Sequence, residues 1–358
     1  MIDIAFWRDK RVLVTGHTGF KGAWLSLWLQ SAGARVSGLS VDVPTVPSLY
    51  ELAEVGAGLE ADVRVDIRDF GPLGEAVREC SPDVVMHLAA QALVRPSFAD
   101  PRATLETNVM GTVNVLEAIR ATPSVRVAVI VTSDKCYENR EWDWGYRENE
   151  AMGGHDPYSS SKGAAELVTA AYRRSFFDPE GRVAVASARA GNVIGGGDWA
   201  HERLIPDIVR AASEGSALKI RNPGSVRPWQ HVINPLSGYL VLAEQLWSRP
   251  ELVGGWNFGP QDDDAEPVAW IVERMAERWA GRLVWEGAPG PHPHEAGLLK
   301  LDSSRARRLL EWRPPVALPD ALDSIVDWHE AHRAGIDMRA FTLAQLERLL
   351  EGARREPR

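Results

Sequence analysis

The sequence predicts an α/β fold, a doubly wound parallel sheet joined to a smaller mixed α/β region. Three observations carry this. Short apolar runs alternate with helical patterns from Arg11 to Ala188. The runs are apolar throughout, as in strands covered on both faces. Glycines crowd the turn between the first run and the first helix, at Gly16, Gly19 and Gly22.

In chain order, strands are expected at Arg11 to Thr15, Arg35 to Val41, Val63 to Ile67, Asp83 to Leu88, Val125 to Thr132 and Val183 to Ala188. Helices are expected from Phe20 to Ser31, stopped by Ala32-Gly33, and from Leu73 to Cys80. A third runs from Pro101 to Ala121, where Leu105, Val109, Val113, Leu116 and Ile119 recur at helical spacing. A polar loop from Cys136 to Pro157 precedes a helix from Tyr158 to Phe177. Loops this long inside a compact domain are usually functional.

After Gly191, Gly, Pro, Arg and Trp become dense. Trp256 to Gly259 reads as a strand returning to the main sheet; Val268 to Trp279 and Pro319 to Ala331 read as helices. The chain therefore divides into a first domain, 1–190 with a return segment at about 231–260, and a second, 191–230 and 261–358.

A net charge of -9 argues against non-specific nucleic-acid binding, so an anionic ligand would need its own local cations. Cys80 and Cys136 cannot form a disulfide framework and suit a reducing cytoplasm. No secretory leader or bilayer-length apolar run is read in the sequence. Most of the 14 tryptophans read as packing residues at domain seams. Asp262-Asp263-Asp264 reads as a solvated approach to a helix, and His292-Pro293-His294 lacks a third ligand at fitting spacing, so no metal is expected.

Gly16-His17-Thr18-Gly19-Phe20-Lys21-Gly22 sits between strand and helix. The first glycine permits a tight turn, the second a close approach of backbone to a pyrophosphate, and the third close helix–strand packing. The helix start offers free N–H groups to phosphate. This predicts a Rossmann-type dinucleotide site. Asp42, at the end of the second strand, can accept from a ribose 2′-hydroxyl and repel a 2′-phosphate, which favours NAD over NADP. Asp66 and Ile67 are placed to hold the adenine edge, and Leu88, Ala89 and Ala90 to run beneath the pyrophosphate.

Tyr158 and Lys162 are four apart at a helix start and share a face. The Lys ammonium and a nicotinamide cation both favour phenolate, so Tyr158 is expected to act as base near neutrality. Ser133, Asp134 and Lys135 follow the carboxyl end of the fifth strand, where ligands bind in such sheets. Ser133 can donate to a substrate hydroxyl. An added acid and amine exceed what a simple oxidation needs.

The glycine turn with Tyr158-x-x-x-Lys162 resembles the extended short-chain dehydrogenase/reductase superfamily. The strings TSDKCYENREWDWGYRENE, DPYSSSK, RAGNVIGGGDWA, RLIPDI, RPWQHV and GWNFGP resemble its CDP-glucose 4,6-dehydratase branch, over about Phe6 to Trp328. The wider sugar-nucleotide dehydratases carry Thr-Asp-Glu where this chain has Ser133-Asp134-Lys135. Lysine at that place supports the CDP-glucose branch, with C5-inverting UDP-sugar dehydratases and C4 epimerases as alternatives.

The resemblance implies that Tyr158 takes the 4-hydroxyl proton as hydride passes from C4 to NAD. Lys135 would then remove the C5 proton, Asp134 would protonate the departing 6-hydroxyl, and hydride would return to C6. Lys135 must lose its proton to do this. The resemblance also implies that Asn192 and Arg227 belong to the nucleotide-sugar site, with Leu204 and Ile205 near the base; Arg189 is placed near the same site. It further implies that the helices from Pro101 to Ala121 and Tyr158 to Phe177 pair a homodimer or homotetramer, and that the product enters deoxysugar and O-antigen biosynthesis.

Overall fold

A computed structural model describes residues 2–178, 181–279, 283–288, 290 and 298–355. Seven parallel strands form the central sheet: β1 (Arg11–Thr15), β2 (Arg35–Ser40), β3 (Ala61–Arg64), β4 (Val84–His87), β5 (Val127–Val131), β6 (Ala184–Arg189) and β7 (Gly254–Asn257). Their order is β7-β6-β5-β4-β1-β2-β3. The order reverses between β1 and β4, and a crevice opens there at the carboxyl ends. The central strands are buried along their lengths, which is why they read as unbroken apolar runs.

Crossover helices cover both faces: α1 (Phe20–Ser31), α2 (Phe70–Cys80), α3 (Gly111–Ala121) and α4 (Pro157–Tyr172). One core cluster joins α1 to Val12, Val14, Val127 and Val129; another joins α2 and α3 to Leu13, Val85 and Ala128 on the opposite face.

Differences from expectation have local causes. The third strand spans Ala61–Arg64, not Val63 to Ile67, because it pairs with Ser37–Ser40 at the sheet edge, half-exposed. Ile67 leaves the sheet and packs under Gly111, where a Cβ would overlap its side chain. The helix from Pro101 to Ala121 is broken into Pro101–Leu105, a π turn at Glu106–Met110, and α3. Gly254–Asn257 does return to the main sheet, parallel to β6.

Beyond β6, α5 (Leu204–Glu214), α7 (Val268–Arg278) and α8 (Leu318–Arg333) enclose a second core around Ile208, Ile271, Met275 and Ile325. Three two-stranded ladders flank it: 193–194 with 230–231, 226–228 with 265–267, and 217–220 with 284–287. Helix α6 (Ile233–Ser248) packs on the main sheet. The last helix, α9 (Met338–Arg355), returns to α1, with Arg339 donating to Gln30 Oε1 at 2.9 Å. Trp7, Trp24, Trp256 and Trp328 are fully buried packing residues, as expected. No helix among the described residues is long and apolar enough to cross a membrane.

Candidate active site

Helix α4 begins sharply. Asp156 accepts from Ser159 N–H at 2.9 Å, and Pro157 occupies the first turn, where its missing donor costs nothing. That fixes Tyr158 and Lys162 one turn apart, both facing inward and buried. The π turn directs Asn108 at this helix: its Nδ2 donates to Ser161 Oγ at 2.8 Å and to the Gln91 carbonyl at 3.0 Å. Ser97 Oγ accepts the Tyr158 N–H at 3.2 Å. Neither Asn108 nor Ser97 was read from the sequence; the π turn has no short-range signal.

At the end of β5 the chain passes through extended Ser133 into a single 3-10 turn, Asp134–Cys136. Ser133 Oγ donates to Asp134 Oδ1 at 2.9 Å and accepts the Lys135 N–H at 3.3 Å. The Ser133 hydroxyl also hydrogen-bonds Tyr158. Asp134 is buried, and Lys135 is half-buried. Ser133, Asp134, Tyr158 and Lys162 thus meet at one mouth of the sheet.

Burial dominates the electrostatics. It pushes the Tyr158 phenol up to about 12, with Asp134 adding to the rise, while Ser133 and Arg203 pull down. Side chains alone therefore do not make this tyrosine a base near neutrality; the nicotinamide cation, the second of the two charges expected to favour phenolate, would have to do so. Burial brings Lys162 down to about 8, opposed first by Glu166. It brings Lys21 down to about 7, helped by the cations Lys162 and Arg203.

The glycine turn fits a dinucleotide. Gly16 has φ +76, the left-handed region, and a Cβ there would meet Ala89 N at 2.7 Å. A Cβ on Gly22 would overlap the Gly16 carbonyl. Gly19 caps α1 without a side-chain hydrogen bond, so the first amides of the helix take no cap from it. Thr18 Oγ1 donates to the Asp42 carbonyl at 2.5 Å, tying the turn to the end of β2, and the Asp42 residue is exposed. Leu88, Ala89 and Ala90 follow the carboxyl end of β4, half-buried, with the Leu88–Ala89 backbone against Gly16. Thr15 Oγ1 binds both His87 Nδ1 at 2.7 Å and Ala89 N at 3.2 Å, fixing that stretch. Asp66 is bound to Arg68 at 2.6 Å.

On the substrate side, Asn192 adopts φ +48 at the junction of the two regions, Leu204 is half-buried at the start of α5, and Arg227 is half-buried on its ladder. Two expectations need correction. Ile205 is 2% exposed and its side chain packs in the second core, on the apolar face of α5 with Ile208 and Val209. Arg189 is buried and committed to Glu166 at 2.7 Å, Tyr137 Oη at 2.5 Å and the Glu148 carbonyl at 3.1 Å, so its fork is not offered to a ligand. The sequence reading passed over Arg203, whose guanidinium pairs with Asp198 at 3.0 Å and acts on Tyr158.

Asp262 and Asp263 are exposed, but Asp264 is buried and accepts from Leu318 N at 3.0 Å, a cap for α8 rather than a solvated approach. No group of metal-ligating side chains occurs among the described residues, and His292-Pro293-His294 lies outside them.

The GDP-mannose 4,6 dehydratase family model matches residues 13–248. CDP-glucose 4,6-dehydratase of Salmonella typhimurium is 53% identical over 343 residues, covering 94% of this chain and 95% of its own. Among solved structures, UDP-glucose 4-epimerase of Thermus thermophilus in complex with NAD superposes with TM-score 0.76 at 26% identity, covering 89% of this chain and 98% of its own. The Stenotrophomonas maltophila UDP-glucose 4-epimerase superposes at 0.80 with 21% identity, covering 91% and 99%. With the dinucleotide crevice, the Tyr158–Lys162 pair and these matches together, the chain belongs to the GDP-mannose 4,6 dehydratase family.

Proposed function

We propose that this protein converts CDP-D-glucose to CDP-4-dehydro-6-deoxy-D-glucose, oxidising C4, eliminating water across C5 and C6, and reducing C6. The observation that carries the reading is the buried Asp134, with Lys135 beside it, at the same mouth as Ser133 and Tyr158. A C4 epimerase has no step that needs this added acid and base.

NAD, when bound, supplies the hydride acceptor and donor. Tyr158 takes the proton of the 4-hydroxyl, with Ser133 holding both oxygens and Lys162 favouring the phenolate. The 4-ketone acidifies C5–H. Lys135 removes that proton, and Asp134 protonates the 6-hydroxyl as it leaves. Water is the only net loss, and NAD is unchanged overall. Arg203 and Arg227 supply the local cations that a diphosphate needs in a chain of net charge -9. Asn192 and Leu204 complete the sugar and base contacts.

The division into 1–190 with 231–260, and 191–230 with 261–358, is supported by the separate second core that α5, α7 and α8 enclose. Exposed Leu167 on α4, with exposed Phe98, Leu105 and Met110 on the segments packed beside it, supports a homodimer or homotetramer. Free Cys80 and Cys136 are in keeping with a cytoplasmic setting.

CDP-, UDP- and dTDP-glucose and GDP-mannose offered in parallel should give a 4-keto-6-deoxy product with CDP-glucose foremost. An inert CDP-glucose beside a reactive alternative would end the substrate assignment and leave the chemistry standing.

A further inference from the structure

One turn beyond Lys162 on α4 lies Glu166, so Tyr158, Lys162 and Glu166 form a stripe at successive turns. Glu166 is 4% exposed, and both of its oxygens are engaged. Oε1 accepts from Thr132 Oγ1 at 2.5 Å; Oε2 accepts from Ser187 Oγ at 2.6 Å and Arg189 Nη2 at 2.7 Å. These partners come from the ends of β5 and β6, beneath α4. Burial raises the carboxyl's pKa, but Arg189, Ser187 and Thr132 more than offset it and hold the group below its ordinary value. A carboxylate this deep stays charged only when so fully partnered.

We propose that Glu166 is a positioning residue for Lys162: its clamped carboxylate keeps the neighbouring ammonium protonated in a water-poor site, and the Thr132–Ser187–Arg189 cradle keeps that carboxylate ionised. The inference rests on reading Tyr158 and Lys162 as the oxidation pair.

The other groups facing Lys162 do not supply this charge. Tyr158 is a phenol on the same helix. Cys136, in the turn after β5, is held as a thiol by burial. His87, at the end of β4, is kept neutral, its pKa brought to about 3 by burial and then by Lys162. Lys21, at the start of α1, repels the ammonium.

The chain has six lysines (Lys10, Lys21, Lys135, Lys162, Lys219 and Lys300), so titration of 13Cε-labelled lysines can resolve each, with Lys162→Met as the assignment control. In the full chain, Glu166→Gln should lower the Lys162 midpoint by about one pH unit or more, a tenfold loss of proton affinity. The alkaline limb of the dehydration rate should move down with it, and Glu166→Asp should restore part of the shift. An unchanged midpoint in folded Glu166→Gln overturns the proposal. Should that variant not fold, Glu166→Gln/Arg189→Met, which also removes the stranded cation, is titrated on the same terms. A lowered midpoint with no activity on CDP-glucose in the parent protein would sink the substrate reading and leave the positioning role intact.

Discussion

Gly191 lies flat against the carboxylate of Asp134: a Cβ on this glycine would overlap both carboxylate oxygens. The backbone leaving β6 is thus one wall of the slot that holds the proposed acid. Displacing a reacting group by about 1 Å can cost on the order of a hundredfold in rate. Gly191→Ala should therefore lower kcat for dehydration by about a hundredfold, while NAD affinity, measured by fluorescence quenching, stays near that of the parent. Equal turnover would show that Asp134 needs no such slot.

The side chains alone leave Tyr158 at about 12 and Lys162 at about 8. A lysine with a lowered pKa loses its charge as pH rises past that value, so the rate should fall on the alkaline side near pH 8. Adding NAD should draw the Tyr158 ionisation downward, read as a phenolate absorbance change that is missing in Tyr158→Phe. A Tyr158 titration indifferent to NAD would contradict the role given to the nicotinamide charge.

Arg189 was expected at the ligand and is found within the molecule, where it and Glu166 are 5% and 4% exposed. Removing one member of such a pair leaves the other charge buried and typically costs about 3–5 kcal/mol. Arg189→Ala should lose that much in urea denaturation, with KM for CDP-glucose little changed among molecules that remain folded. A raised KM without a stability loss would restore the ligand role.

Asp42 lies exposed two residues beyond β2, its carbonyl tied to Thr18 at 2.5 Å. Asp42→Ala should weaken NAD binding by about tenfold and narrow the preference over NADP, since the carboxylate that rejects a 2′-phosphate is gone. Unaltered discrimination in isothermal titration would place the ribose elsewhere.

Much of this arrangement was legible because strand ends and glycine turns are local. The β1–α1 turn and Tyr158-x-x-x-Lys162 each state their geometry within a few residues. The third strand was misplaced because its register is set by β2, and the apolar Ile67 that drew it onward fills space beneath Gly111. Asn108, Ser97, Glu166 and Arg203 escaped notice for a related reason. Each depends on at least one partner far along the chain, as Asn108 does on Ser161 and Glu166 on Thr132. Arg189 misled because an arginine at a strand's carboxyl end reads as a ligand site until its buried carboxylate is seen.

The central claim is that one catalytic cycle takes hydrogen from C4 and returns it to C6. CDP-glucose deuterated at C4, turned over in unlabelled water, tests this directly. The account predicts deuterium at C6 of the 4-keto-6-deoxy product, with solvent hydrogen entering at C5. A product without deuterium at C6, or a C4 epimer in place of a ketone, would contradict it.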